Sequence, residues 1–273
     1  MQIVFDKKIL DYKGTLGNPR RMIPAYEFLK DKYNFVKPEI SVKEPIVHSK
    51  KLIDNVKTGD FYDLDSPPRP GIYDLAMLAL NSAITSQDIQ GFSFMEPPGH
   101  HAGKDYLGGF CYFNNIAEAV ERSKLKTLII DIDGHHGNGT EDIFKGRKDI
   151  RFVSLHCSPC YPGTGRKSKK NIFNYPLNPR CGEEKYLETF DKALEEATKN
   201  FEFEQIAVSA GFDAYKGDHL GVFLGLEKET YYKIGKIIKE LTEKNKARKF
   251  AVLEGGYSRD FGELIDEFVK GMS

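Results

Sequence analysis

An α/β fold built on a mainly parallel sheet flanked by helices is what this sequence predicts, and three observations predict it. Short apolar runs alternate with amphipathic stretches along the chain, the pattern of strand–helix–strand units with right-handed crossovers. The clearest run, Leu128, Ile129 and Ile130, is continuous rather than alternating, as a parallel strand covered on both faces requires. That run ends in a polar, glycine-rich segment, DIDGHHGNGT (131–140), at the carboxyl end of its strand, where open α/β sheets place their ligands. No internal repeat or linker divides the chain, so residues 1–273 are read as one domain.

In order, Gln2 to Phe5 forms the first strand and Pro24 to about Lys32 the first helix. Between them runs a Gly/Asn/Pro loop, Gly14 to Arg21, whose Arg20–Arg21 pair is read as a solvated face. Residues 49–57 make a short helix, and DSPPRPG (65–71) breaks the chain before a longer helix from Ile72 to about Thr85. Further strands are expected at 91–94, 128–130, 151–155, 205–210 and 249–252, and helices at 113–123, 183–199, 227–243 and 259–270. The basic run Arg166 to Lys170 is expected to be an exposed loop.

At 273 residues and 40% hydrophobic, the chain can bury a large core. Its 40 basic and 40 acidic residues cancel, so no global field draws it to nucleic acid or to a membrane surface. No apolar run approaches the roughly 18 residues of a membrane-spanning helix. The N-terminal MQIVFDKKIL lacks a signal-peptide core, and a cytoplasmic protein is expected. Four cysteines in a chain of this length are not a disulfide framework and are expected to be reduced.

The residues that carry chemistry sit where strands end. Side chains alternate along a strand, so Asp131 and Asp133 share a face, with His135 following where the chain leaves the sheet. Two carboxylates and an imidazole so close together outline a metal site; the blander reading is a loop of capping aspartates and solvated histidines. Strand 91–94 leads into MEPPGHHAG, which presents His100 and His101. Strand 205–210 leads to Asp213, and strand 249–252 to LEGGYS, where Gly255 and Gly256 let the backbone approach a ligand and present Tyr257. Five of the seven histidines lie within 97–102, 131–140 and 154–156, and a parallel sheet brings all these segments to one rim.

Six segments, PPGHHA (97–102), GGFCYFNN (108–115), DIDGHHGNGTEDIF (131–144), SLHCSPCYPGTG (154–165), SAGFDAYKGDHLG (209–221) and LEGGYS (253–258), resemble in order and spacing the signatures of the histone deacetylase superfamily. That group includes acetylpolyamine amidohydrolases and acetoin-utilisation proteins. The resemblance, from about residue 14 to 262, implies the arginase/deacetylase-like fold and hydrolysis of a linear amide: removal of an acetyl or other short acyl group from an amine. It implies a catalytic metal held by Asp133, His135 and Asp213 with a coordination position left for water and substrate. Zinc is the usual ion, and the two carboxylates make iron(II), cobalt(II) and manganese(II) competitors. By the same resemblance His100 and His101 are the acid–base pair, Asp131 orients His100, Asn138 orients His101, and the Tyr257 hydroxyl donates to the developing oxyanion.

Gly109, Phe110 and Tyr161 correspond to a narrow tunnel for an aliphatic acyl-amine chain, with Gly255 beside it and Asp65 at the rim. A structural potassium ion is implied at the carbonyls of Asp131, Asp133, His135, Ser154 and Leu155, and a second at Phe144, Arg147, Ile150 and Asn171.

Two positions depart from the pattern. Many relatives carry Asp where this chain has Asn138, and a neutral amide stabilises an imidazolium less. Polyamine-specific members carry Glu where this chain has Leu220, which offers nothing to a secondary ammonium. With these departures the resemblance implies an acyl-amine substrate such as an acetyl-lysine peptide, with acetylpolyamines and small acyl amides as alternatives. Competing readings are an arginase-type two-manganese enzyme, whose bridging acids GHHGNG and GFDAYKG lack, and a metal or redox protein built on His156, Cys157 and Cys160. A third is a catalytically silent metal- or acyl-amide-binding module, against which His100, His101 and Tyr257 count.

Overall fold

Among the described residues, eight strands form one sheet, β2-β1-β3-β8-β7-β4-β5-β6, in which every pairing is parallel. They are β1 (Ile3–Val4), β2 (Phe35–Val36), β3 (Phe92–Ser93), β4 (Thr127–Asp131), β5 (Ile150–Cys157), β6 (Ile172–Leu177), β7 (Gln205–Ala210) and β8 (Arg248–Leu253). Helices α1 (Met22–Leu29), α2 (Lys50–Thr58), α3 (Ile72–Ile89), α4 (Asn115–Ser123), α5 (Asn138–Phe144), α6 (Gly182–Thr198), α7 (Lys228–Asn245) and α8 (Phe261–Met272) flank it. This computed structural model describes residues 1–11 and 21–273, so Arg20 lies outside the described residues.

The order of the strands places the site. The chain first builds β1 to β3 and then β4 to β6, and the last two strands, β7 and β8, fill the gap between β3 and β4. Ser93, Val252, Ser209, Asp131 and Ser154 are register partners in one transverse row across five strands. The loops that follow β3, β8, β7 and β4 therefore leave the sheet at the same level, side by side, although they are remote in sequence. Strands β4 and β7 are buried at every residue, which explains the apolar runs Leu128–Ile130 and Ile206–Val208 within them.

Local chemistry fixes the helix ends. Ser49 Oγ accepts from Leu52 N–H at 3.2 Å to start α2, and Gly59 closes that helix at φ 77°. Asn114 caps α4 by accepting from Ala117 N–H at 3.0 Å, while Glu227 and Thr230 form a capping box on α7. Helices α7, α8 and α1 pack as one group and α2, α3 and α4 as another.

Several elements escape the sequence pattern, a short 3-10 helix at Lys7–Asp11 among them. Strand β6 is an edge strand containing Pro176, with alternating exposure rather than an apolar run. Strand β2 is a two-residue edge, and α5 begins inside the glycine-rich motif that reads as loop.

Phe212 ties core to site. Its ring, fully buried one residue before Asp213, lies 5.2 Å from Tyr231 and 5.9 Å from both Phe261 and Phe268. Phe212→Ala is expected to lower stability by about 3–5 kcal/mol, seen as a lower urea midpoint at unchanged slope. A loss below about 1 kcal/mol would mean the ring is not a packing anchor.

Candidate active site

The four adjacent loops converge on a cavity of about 290 Å³ lined by Asp65, Pro98, His100, His101, Gly109, Phe110, Asp133, His135, Tyr161, Asp213, Leu220, Gly255 and Tyr257. A larger groove elsewhere, lined by Ile40, Tyr73 and Met77, holds none of these residues. At the floor, Asp133, His135 and Asp213 offer ligand atoms all within 4.8 Å of one another. His135 turns Nδ1 to Asp213 Oδ2 at 2.6 Å and to Asp133 Oδ1 at 3.3 Å. Backbone amides orient the acids: Gly134 N–H donates to Asp213 Oδ1 at 2.7 Å, and Gly255 N–H to Asp133 Oδ2 at 2.7 Å. A Cβ on Gly255 would meet Asp133 Oδ2 at 2.6 Å and Asp213 Cγ at 3.0 Å, so only glycine passes there.

Asp213 Oδ2 is buried without a hydrogen-bond donor of acceptable geometry. Two buried carboxylates so close are unfavourable unless a cation joins them. A divalent ion fits this donor set, two oxygens and one imidazole nitrogen.

Beside that triad stand the two histidines, ring centroids 4.0 Å apart. His100 Nδ1–H donates to Asp131 Oδ2 at 3.0 Å. His101 Nδ1–H donates to Asn138 Oδ1 at 2.6 Å. With both Nδ1 atoms committed as donors, Nε2 of each ring is the atom left for a substrate.

Their electrostatics differ. Burial lowers the His100 imidazole, but Asp133, Asp131 and Glu254 raise it, to about 10. Burial, followed by the neighbouring His100, holds His101 well below the usual histidine range. Tyr257 completes the wall: its ring meets Phe110 edge-on at 6.1 Å, and burial pushes its hydroxyl well above the usual tyrosine range. Gly109, at φ 55°, lets the chain pass against the His101 ring.

The sequence profile of the histone deacetylase domain matches residues 29–272. The chain belongs to the histone deacetylase family. A probable deacetylase of Archaeoglobus fulgidus is 33% identical to this family member, with 94% of this chain and 81% of that protein aligned. Acetylpolyamine amidohydrolase 2 of Pseudomonas aeruginosa is 35% identical over 72% of this chain and 61% of that protein. Among solved structures, the HDA15 HD domain superposes with a TM-score of 0.86 at 26% identity, covering 99% of this chain and 90% of that one. Acetylpolyamine aminohydrolase from Burkholderia pseudomallei gives 0.89 at 22% identity over 99% of this chain and 98% of that one, a likeness of fold.

The histone deacetylase scaffold here uses side chains that the sequence reading passed over. Glu254, fully buried, accepts from Gly99 N–H at 2.7 Å, His100 N–H at 3.1 Å and Ser209 Oγ–H at 3.0 Å, and so fixes the His100–His101 loop. Burial pushes its carboxyl up to about 7, against the pull of His100. Asp218 accepts from Leu220 N–H at 3.0 Å and from Tyr257 N–H, joining the β7 and β8 loops.

Arg21 is a correction. Its side chain is 9% exposed rather than a solvated face. It donates to Glu96, to Gly256 O and, at 2.7 Å, to Glu254 O, with its guanidinium carbon 4.6 Å from the Tyr257 ring centroid. A loop carbonyl pair and an aromatic face attract a guanidinium more than water does when Glu96 neutralises it.

The cysteine expectation is also corrected. Cys157 and Cys160 are joined by a disulfide, Cα atoms 5.5 Å apart, while Cys111 and Cys181 are free thiols. Adjacent strand end and turn bring the pair within bonding reach, which length-based reasoning about whole-chain frameworks does not address. His156 has no nitrogen left for a metal shared with them: Nδ1 faces Ser154 Oγ at 3.0 Å and Nε2 faces Gly165 O at 3.1 Å.

Of the two potassium expectations, Asp131 and Ser154 are register partners on adjacent strands. In the second set the carbonyls of Phe144 and Ile150 take hydrogen bonds. Phe144 O accepts from both Arg147 N–H at 3.0 Å and Asn171 Nδ2–H at 2.9 Å, and Ile150 O accepts from Asn171 Nδ2–H at 3.0 Å. The Arg166 to Lys170 loop is exposed, as expected.

Proposed function

We propose that this protein is a metal-dependent amidohydrolase that removes acetyl or another short acyl group from a primary amine, with an acyl-lysine side chain as the preferred substrate class. The observation that carries this reading is the single cavity in which Asp133, His135 and Asp213 meet His100, His101 and Tyr257. An ion held by Asp133, His135 and Asp213, zinc or a competing iron(II), cobalt(II) or manganese(II), would polarise the acyl carbonyl and acidify a water.

The remaining chemistry belongs to the chain. His101, neutral and with Nε2 free, takes up the proton of the attacking water and returns it to the leaving amine. His100, held through Nδ1 by Asp131, is its partner in the acid–base pair. Tyr257 donates its hydroxyl proton as a hydrogen bond to the oxygen on which negative charge develops. Gly109, Phe110 and Tyr161 exclude water from an extended aliphatic chain.

Relatives named acetylpolyamine amidohydrolase favour a second reading, small acyl-polyamines. Leu220 on the cavity wall weighs against it, since an apolar side chain gives no partner to a secondary ammonium. Leu220→Glu is therefore expected to raise kcat/KM for acetylpolyamine over acetyl-lysine peptide by about tenfold, the worth of roughly 1.4 kcal/mol. An unchanged ratio would remove Leu220 from substrate choice. Acetate release from acetyl-lysine peptides, acetylpolyamines and small acyl amides, each with and without chelator, tests the reading as a whole. Chelator-sensitive turnover supports it; acyl-amide binding without acetate release from any of them would make the protein a binding module.

A further inference from the structure

Tyr106 lies outside the cavity lining, yet it holds both ends of Asn138. Its hydroxyl donates to Asn138 O at 3.0 Å and accepts from Asn138 Nδ2–H at 3.2 Å. On its other side the same amide presents Oδ1 to His101 Nδ1 at 2.6 Å.

We propose that Tyr106 is a positioning residue that locks the orientation of the Asn138 amide and, through it, the tautomer of His101. The proposal rests on the acid–base reading of His101 given above.

A side-chain amide has two ends of nearly equal shape and opposite hydrogen-bonding sense. With Oδ1 toward His101, Nδ1 must carry the proton and Nε2 keeps its lone pair. With the amide reversed, NH₂ would face Nδ1, the ring proton would move to Nε2, and the ring could no longer accept a proton from the cavity side. Nothing intrinsic to Asn138 chooses between these. Tyr106 chooses, because its only proton is committed to Asn138 O and its lone pairs accept a donor and repel an acceptor. A carboxylate at position 138 has two like oxygens and needs no such choice, so the lock is tied to the amide this chain carries.

The hydroxyl is held in place by a pinned turn. Gly103 N–H donates to Tyr106 O at 2.9 Å, Ser49 N–H to Lys104 O at 2.8 Å, Lys104 N–H to Asp142 Oδ2 at 2.9 Å, and His48 Nδ1–H to Gly103 O at 2.7 Å. The turn is thereby fastened to the start of α2 and to α5, which itself begins at Asn138. A Cβ at Gly103 would meet Tyr106 Cε1 and Cζ at 2.3 Å, so the ring packs where a side chain would stand.

The test is a double-mutant cycle in the full-length, metal-loaded protein. Tyr106→Phe is expected to lower kcat about five- to tenfold with KM unchanged, the effect of one lost hydrogen bond. In an Asn138→Asp background the same substitution is expected to change kcat less than about twofold, because a carboxylate cannot be reversed. Equal losses in both backgrounds, or no loss in either, would overturn the proposal.

Nitrogen-15 NMR of the His101 ring provides a readout independent of turnover. The wild type should show a protonated Nδ1 and an unprotonated Nε2, with the opposite tautomer gaining population in Tyr106→Phe. An unchanged ratio of tautomers would equally overturn the lock. A shifted ratio in a protein that hydrolyses none of the amides tested would sink the acid–base role of His101 and leave the lock standing.

Discussion

Tyr257→Phe is expected to lower kcat by about 10²–10³-fold, or roughly 3–4 kcal/mol of transition-state stabilisation, while KM stays within about a factor of two. The proposed reading makes this hydroxyl the donor to the oxyanion: Tyr257 lines the cavity, and burial pushes its hydroxyl well above the usual tyrosine range. Removing it takes away an interaction that grows only as charge develops. The ring and its supports stay: Asp218 still holds the Tyr257 amide, and Arg21 still lies on the aromatic face. Steady-state acetate release, with the urea midpoint as a control for folding, separates the two effects. A variant with unimpaired kcat would remove Tyr257 from the chemistry.

Asp213→Ala should have the larger effect, at least about 10³-fold in kcat/KM, since on the proposed reading it would remove both an ion ligand and the several kcal/mol that the ion would supply. Its signature extends to binding. Without an ion, burial lowers the His135 imidazole but Asp213 and Asp133 raise it, to about 11. An entering cation must displace that proton, so ion affinity should weaken as pH falls and a proton should be released on binding. The bound ion also stabilises the fold by mass action, about 2.7 kcal/mol when free ion stands at 100 times Kd. Chelator should therefore lower the Tm of the wild type and leave that of Asp213→Ala unmoved. Chelator acting equally on both would place the ion elsewhere.

Much of this geometry is legible in the sequence because strand ends announce themselves. Buried parallel strands such as β4 and β7 carry short apolar runs, Leu128–Ile130 and Ile206–Val208, and Asp131 and Asp213 follow these runs at the carboxyl edge of the sheet. The motifs around His100 and Tyr257 belong to the same class of signal.

What escaped was mostly contact across the fold. Glu254 reads as one polar residue before two glycines, and its three partners come from elsewhere in the chain, Gly99 and His100 from the loop after β3 and Ser209 from β7. Asp218 likewise acts on Tyr257, 39 residues away. Arg21 carries no local hint that Glu96 and two carbonyls of the β8 loop will surround it. Composition argued that the cysteines stay reduced, but local geometry at the end of β5 decides the Cys157–Cys160 pair. Strand β6 hid behind Pro176 and the alternating exposure of a sheet edge.

The central claim is that Asp133, His135 and Asp213 hold one catalytic divalent ion. Metal content per chain, measured by elemental analysis after dialysis against zinc, tests it most directly, with the wild type beside Asp133→Ala, His135→Ala and Asp213→Ala. The account predicts one tightly held ion per wild-type chain, lost in all three variants while their folds remain intact. An ion retained at full stoichiometry in any folded variant would contradict it.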